Sequence, residues 1–293
     1  MDRTMRVGAY GILSDDAGRI LMRRATEATG SPDSWWLPGG RVKHAEDPAD
    51  TVARTLSVQT GLDVEITALR TVTSAVVPMT DQWREHHTLI VYDLKTAGGE
   101  LAPERENARN LWVDPTELAG QPMSQITSTM LGLSETGLPP GHGRAPEPPP
   151  GKLLEQRVGA YAWLTDPAGR VLLTMIPEGY WAAGKWHLPG GGVDFGEQPE
   201  AGLLREIHEE TSQRAVLTGL RRVVSRHDPD SITPDGRPSD FHGINLIWDG
   251  VVPNPSQLTI VDVGGSTSEV RWFEPADIPG LPKTVAVEAG LDP

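Results

Sequence analysis

The chain carries one pattern twice. Arg6-Val7-Gly8-Ala9-Tyr10 recurs as Arg157-Val158-Gly159-Ala160-Tyr161, an offset of 151 positions. The same offset takes Asp15, Ala17-Gly18-Arg19 and Leu21 onto Asp166, Ala168-Gly169-Arg170 and Leu172. It takes Trp35, Leu37-Pro38-Gly39-Gly40, Glu46, Pro48 and Arg54 onto Trp186, Leu188-Pro189-Gly190-Gly191, Glu197, Pro199 and Arg205. Over residues 6–60, 22 of 55 ungapped positions are identical. A duplication of this extent requires a fold that each half builds for itself. Farther along, His86-His87-Thr88-Leu89 aligns with Phe241-His242-Gly243-Ile244 at offset 155, and Leu111-Trp112-Val113-Asp114-Pro115 with Arg271-Trp272-Phe273-Glu274-Pro275 at offset 160, so the second copy has net insertions.

Between the copies, six of the twelve residues from 139 to 150 are proline. Such a stretch continues neither a helix nor a sheet ladder and reads as a semi-rigid linker. The expected organisation is a domain over 1–136, a Pro/Gly-rich linker over 137–154 and a second domain over 155–293. Each is expected to be a mixed α/β unit. Val158–Thr165 and Val171–Ile176 alternate as strands about the Asp166-Pro167-Ala168-Gly169 turn. Ala215–Ser225, Phe241–Trp248 and Glu269–Phe273 are further strands. Pro199–Thr211 is a helix, with Pro199 at its first position and Leu203, Leu204 and Ile207 on its buried stripe. A short helix follows each Trp-containing strand, and closing helices are expected near 121–132 and 283–289.

Composition excludes several classes. The formal charge is −14, against the basic stripe that duplex nucleic acid demands. There is no cysteine, so disulfides, zinc–thiolate sites and cysteine nucleophiles are ruled out. No apolar run approaches the roughly 20 residues of a membrane span, and Met1–Val7 holds no signal-peptide core, so a cytoplasmic protein is expected.

Chemistry concentrates after the second Leu-Pro-Gly-Gly. Glu206, Glu209 and Glu210 are spaced i, i+3, i+4 and share one helix face. Glutamate runs on helices are usually solvated, but here apolar residues fill the opposite face and the cluster follows a glycine turn. Three neighbouring carboxylates repel unless a hard cation lies among them, and carboxylate oxygens suit magnesium or manganese.

The stretch 191–213 resembles the Nudix box, Gly-x5-Glu-x7-Arg-Glu-U-x-Glu-Glu-x-Gly-U, with U a bulky aliphatic residue. Gly191, Glu197, Arg205, Glu206, Ile207, Glu209 and Glu210 match in register. Ser212 and Gln213 replace the last glycine and aliphatic. The resemblance covers 155–285, and a degenerate version covers 5–132. It implies two tandem α/β/α sandwiches around mixed sheets. It also implies Mg2+- or Mn2+-dependent hydrolysis of a small diphosphate compound, a nucleoside triphosphate or a nucleoside diphosphate linked to another moiety. By this resemblance Glu206, Glu209 and Glu210 are metal ligands or general base, Gly191 offers its carbonyl, and Arg205 and Glu197 orient the helix. A further carboxylate is expected from a distal loop, with Glu269 ahead of Asp262.

Tyr180, Trp181 and Trp186 are candidates to stack on a base, although Trp35 repeats Trp186 and favours packing there. His187 either faces a phosphate or caps a loop. Strand alternation sends Arg221 and Arg222 to opposite faces, where one meets a phosphate or both form solvated salt bridges. Arg226 lies on the same strand. His242, matched by His87, reads as structural. The rivals are hydrolysis of a non-nucleotide diphosphate and a nucleotide-binding sensor without catalysis; a cysteine-dependent isomerase on the same fold is excluded. No duplex nucleic acid or membrane partner is expected, and the two domains either pack on each other or the chain forms a homodimer. In the first copy Thr55, Val58 and Gln59 stand where Glu206, Glu209 and Glu210 do, and Arg109 stands for Glu269. That copy is expected to bind no metal and to be catalytically dead.

Overall fold

In the computed structural model, which describes residues 2–29, 31–134, 153–233, 235–262 and 265–291, the alternating stretches of both copies are strands. The first unit runs β1 (Asp2–Leu13), β2 (Ile20–Ala25), β3 (Trp35–Trp36), β4 (Gly39–Arg41), α1 (Pro48–Thr60), β5 (Leu62–Thr80), β6 (Trp83–Gly99), β7 (Glu104–Arg105), β8 (Ala108–Val113) and α2 (Gln125–Leu131). Among the described residues the second repeats this order without a counterpart of β7, as β9 (Leu153–Thr165), β10 (Val171–Met175), β11 (Trp186–His187), β12 (Gly190–Gly192), α3 (Pro199–Thr211), β13 (Val216–Ile232), β14 (Pro238–Val251), β15 (Glu269–Phe273) and α4 (Val285–Leu291). The chain divides into two units, 1–147 and 148–293. Most of the expected linker lies outside the described residues; Leu153 and Leu154, counted within it, already open β9.

Each unit is built on a parallel pair. β1 runs parallel to β6 along its whole length, and β9 parallel to β14. The first unit has two sheets, ordered β4-β1-β6-β5 and β3-β2-β8-β7. In the second unit the pairing of Val171 with Thr165 joins the two halves into one mixed seven-stranded sheet. α1 and α3 lie on one face, over β1 and β9, with Val52, Leu56, Leu203 and Ile207 fully buried. α4 covers the opposite face through Ala286 and Val287, packed with Val171, Leu173, Trp186, Leu188, Ile247 and Phe273. Each such Val, Leu, Ile or Phe side chain contributes roughly 1.5–3 kcal/mol by leaving water. Trp186 is edge-on to Phe273 with centroids 4.6 Å apart, so it is a core residue and not a stacking one.

Local signals explain the helix ends. Asp47 caps α1 by accepting from the Ala49 amide, and Gly61 ends it in the left-handed region at φ 82°. α3 ends at Ser212, also left-handed at φ 60°. A serine there is strained relative to glycine, and its Oγ is tied down by donating to the Gln257 carbonyl at 2.9 Å. Gln213 is buried and anchors the following loop through the Ser256 amide and hydroxyl. The two departures from the box therefore dock Ser256 and Gln257 onto the end of α3.

Three expectations need correction. Leu204, placed on the buried stripe of α3, is 40% exposed, because it sits beside that stripe and only Leu203 and Ile207 face the sheet. Strand register places His242 opposite Gln156, and His86 opposite Met5. The counterpart of His242 is thus His86, not His87. Both are fully buried, and His242 is held between Gln156 at 3.0 Å and Ser225 at 2.8 Å, a structural position. Strict alternation also fails at Arg221 and Arg222, because a register shift separates Leu220 from Arg222. Arg221 reaches Asp249 at 2.7 Å and the Gly290 carbonyl on α4, while Arg222 pairs opposite Ile247, a residue of the same α4-side core.

Candidate active site

The glycine turn and α3 meet at close quarters. Gly190 adopts φ 133°, and a Cβ there would lie 2.1 Å from the Ala160 carbonyl oxygen, so only glycine lets β12 approach β9. A Cβ on Gly191 would lie 2.6 Å from the Glu206 carboxyl carbon. The bare backbone leaves room for that carboxylate.

Arg205 organises the acidic face. Its Nε and Nη2 donate to the two oxygens of Glu197, each at 3.0 Å. Its Nη1 donates to one oxygen of Glu206 at 2.8 Å and one of Glu209 at 3.1 Å. One guanidinium thus gathers three carboxylates, and Glu197 first, then Glu206, hold its own pKa above the usual value. An orienting role for Arg205 and Glu197 would act through these contacts. The first copy keeps these contacts as a bidentate Arg54–Glu46 pair at 2.5 and 2.9 Å. Arg205→Ala is expected to leave Glu197, Glu206 and Glu209 facing one another without a counter-ion. The cation-free protein should melt several degrees lower by calorimetry, by roughly 1–3 kcal/mol, and part of this should return on adding Mg2+.

Glu210 is the buried member. It accepts from the Gly190 amide at 3.0 Å and from the hydroxyls of Ser266, at 3.1 Å, and Thr267. Burial outweighs these bonds and pushes its pKa up to about 7, with Glu206 adding to the rise. Burial likewise raises Glu206. A carboxylate raised on folding favours the native state while protonated, and that advantage disappears as pH climbs through the raised value. Between pH 5 and 8 the cation-free protein should therefore lose on the order of 3 kcal/mol of stability, and Glu210→Gln should flatten the profile in a pH series of melting curves.

The other candidates divide. Glu269 is half exposed and pairs with Arg271 at 2.6 Å along its own strand. Asp262 belongs to the segment docked on α3, its amide donating to the Glu209 carbonyl at 3.1 Å. His187 is buried, bonded through Nδ1 to Thr284 at 2.7 Å, and its pKa is lowered to about 4 by burial, so it is neutral and no cationic phosphate contact. Tyr180 and Trp181 stand exposed in the turn before β11. Arg221 is consumed by α4 and Asp249, as described above. The sequence reading missed Ser266 and Thr267, which reach Glu210 across 56 and 57 residues; a hydroxyl-rich loop is the only trace they leave.

The first copy differs in one decisive contact. Gln59 accepts from the Gly39 amide at 3.0 Å and also donates to the Gly39 carbonyl at 2.9 Å. Thr55 turns its hydroxyl back to the Thr51 and Val52 carbonyls, and Val58 is exposed. The carbonyl matching that of Gly190 is thus closed by the protein's own amide.

The NUDIX domain family model matches residues 3–130 and again 155–290. The chain belongs to the Nudix family. It is a Nudix hydrolase made of two Nudix domains in tandem. It is 33% identical over 109 residues to the nucleoside triphosphatase NudI of Escherichia coli O139:H28 (strain E24377A / ETEC), a match covering 37% of this chain and 74% of that one. Similar solved structures include a MutT Nudix hydrolase from Burkholderia pseudomallei, at 28% identity over 47% of this chain and 97% of that one, with a TM-score of 0.39. Another is the Nudix domain of Shewanella oneidensis NrtR complexed with ADP ribose, at 20% identity over 47% and 85%, with a TM-score of 0.38. Among the described residues no helix is long and apolar enough to cross a membrane.

Proposed function

We propose that the second domain hydrolyses a diphosphate linkage in a nucleoside triphosphate or a nucleoside diphosphate derivative, with Mg2+ or Mn2+ held by Glu206, Glu209 and Glu210. The observation that carries this is the single face on which Arg205 gathers Glu197, Glu206 and Glu209 beside the buried Glu210. The donor set fits a hard divalent cation. It is all oxygen, it is acidic beyond what one guanidinium neutralises, and it contains a buried carboxylate that burial keeps protonatable near neutrality. The Gly190 carbonyl, beside Glu210, takes the role first given to Gly191. A bound cation supplies charge neutralisation for the phosphates and for the leaving group.

The chain's own groups do the rest. Glu210, fixed by three donors, is a ligand and not a mobile base. Glu206 and Glu209 each share only one oxygen with Arg205, and one of them takes the proton of the attacking water. Glu197 keeps Arg205 in place. Asp262 is preferred to Glu269 as the distal carboxylate, because its loop is docked on α3. The first domain is proposed to be non-catalytic and to serve as a scaffold.

The test is a panel read by phosphate and monophosphate release from the full chain, with Mg2+, with Mn2+ and with chelator. It comprises nucleoside triphosphates, ADP-ribose, nucleotide sugars, dinucleoside polyphosphates and prenyl diphosphates. Turnover confined to prenyl or other non-nucleotide diphosphates would overturn the nucleotide reading. Full turnover in excess chelator would overturn the metal assignment.

A further inference from the structure

The protein engages the two oxygens of Glu210 unequally. Oε2 accepts one bond, from the Gly190 amide at 3.0 Å. Oε1 accepts two, from the Ser266 hydroxyl at 3.1 Å and from the Thr267 hydroxyl. An ionised carboxylate offers about four lone-pair directions. Both of those on Oε1 are filled, and Oε2 keeps one to give. The other two carboxylates of the face are restricted in the same sense. Arg205 holds Oε1 of Glu206 at 2.8 Å and Oε2 of Glu209 at 3.1 Å, which leaves each its second oxygen for a shared ion. The face therefore offers a cation single oxygens, one from each glutamate.

The hydroxyls that restrict Glu210 are held on both sides. Upstream, the Val261 and Asp262 amides donate to the Glu209 carbonyl at 2.8 and 3.1 Å, supplying donors to a helix end whose last carbonyls have none within the helix. Downstream, the Ser268 amide donates to the Met175 carbonyl at 2.9 Å, and Glu269 opens β15 opposite Met175. Thr267 is buried, while Ser266 is exposed. With its neighbour fastened to β10, Thr267 is a fixed donor. Freeing Oε1 means giving up a bond to a charged group inside the protein, which is costlier than losing one between neutral groups. In the first copy Gln59 closes on Gly39 instead. The size and coordination of the ion decide what this restriction does. Mg2+ demands a near-ideal octahedron at roughly 2.0–2.1 Å and Mn2+ favours the same arrangement, whereas Ca2+ takes about six to eight oxygens at 2.3–2.6 Å and often both oxygens of one carboxylate.

We infer that the Ser266 and Thr267 hydroxyls are a positioning pair that sets which cation the site accepts: by filling Oε1 they limit Glu210 to one oxygen, which suits Mg2+ or Mn2+ and turns away Ca2+. This rests on the hydrolase reading above, in which Glu206, Glu209 and Glu210 hold the cation, and adds what governs the choice of ion. Neither hydroxyl touches the ion. Each acts through Glu210.

The test reads binding and not turnover. Mn2+ bound to the full chain is counted by electron paramagnetic resonance and displaced with Mg2+ or with Ca2+, which gives an affinity for each ion. Wild type should release Mn2+ to Mg2+ at a lower concentration than to Ca2+. Thr267→Val keeps the shape and removes the hydroxyl, and it should tighten Ca2+ relative to Mg2+ by roughly tenfold. Thr267→Ser keeps a hydroxyl and should behave as wild type. Ser266→Ala, at an exposed position, should move the ratio the same way by less, and it carries the test if Thr267→Val does not fold. An unchanged ratio in whichever of these two variants folds, an equal loss for both ions, a ratio moved as far by Thr267→Ser, or a wild type that takes Ca2+ as readily as Mg2+ overturns the inference. If Glu210→Gln abolishes Mn2+ binding and turnover while the hydroxyl variants leave the ratio alone, the hydrolase reading stands and the selectivity falls. If the ratios move as expected but no diphosphate is hydrolysed, the hydrolase reading falls and the selectivity stands. A wild type that binds no Mn2+ overturns both.

Discussion

Glu210→Gln is expected to reduce hydrolysis by roughly a hundredfold to a thousandfold, the range seen when one preorganised electrostatic contact to a developing charge is lost. The argument comes from the molecule's own control. Gln59 shows what an amide does at this position: it accepts from the glycine amide and donates to the same glycine's carbonyl. In the second copy that amide would close the Gly190 carbonyl and remove one negative charge. The substitution therefore converts an open cation site into a closed one with little change of shape. The fold should survive, and above pH 7 the cation-free variant should be more stable than wild type, because the burial that raises Glu210 no longer acts on an ionisable group. Steady-state kinetics at saturating Mg2+, paired with melting curves in chelator, separates loss of chemistry from loss of structure. Activity within a few-fold of wild type would refute the assignment of Glu210. Such a loss from one change in the second copy also requires the first copy to be dead.

Gln59→Glu in the first copy is expected to do the reverse to stability and nothing to activity. The carboxylate would keep the bond from the Gly39 amide but set an oxygen against the Gly39 carbonyl, 2.9 Å from the present amide nitrogen. Losing that bond and leaving a carbonyl without its donor costs about 1–3 kcal/mol, enough to lower the melting transition of a domain this size by on the order of 5 °C. Added Mg2+ should recover little of it, since Thr55 turns inward and Val58 offers no oxygen. Calorimetry with and without Mg2+ checks both points. An unchanged transition would mean that the amide is not what holds the first copy's turn closed. Full rescue by Mg2+ would mean that this copy still binds a cation.

Much of this was legible in the residues because it depends on local chemistry. The spacing of Glu206, Glu209 and Glu210 fixes one helix face, and α3 spans Pro199–Thr211 as the pattern requires. The pairing of Arg205 with Glu197 lies within one short loop and helix, but an orienting role for it came only from the resemblance to the Nudix box. What failed to show depends on contacts distant in sequence or on a one-residue slip. A bulge within β13 is invisible to alternation, and it moved Arg221 and Arg222 onto one face. The alignment of His242 with His87 erred by one residue, because ungapped matching cannot see which residues lie opposite each other on β1 and β9. Ser266 and Thr267 meet Glu210 from 56 and 57 residues away in sequence, and no spacing rule announces that.

The parallel pairs of the two copies raise a problem of partner choice during folding. β1 and β9 share Arg-Val-Gly-Ala-Tyr, and each must wait for a strand some 80 residues downstream. Such distant pairings form late, and tandem copies are prone to exchanging strands. The flanking residues oppose the exchange. In the native register Glu155 lies opposite Phe241, and Glu85 lies opposite Thr4, whose hydroxyl donates to it. Were β9 to take the place of β1 beside β6, Glu155 would face Glu85, which is 1% exposed in its own unit. Two like charges directly across a ladder, one of them buried, disfavour that pairing. The first copy, which has no glutamates at the matching helix positions, thus carries one in its sheet that keeps the second copy's first strand from taking β1's place.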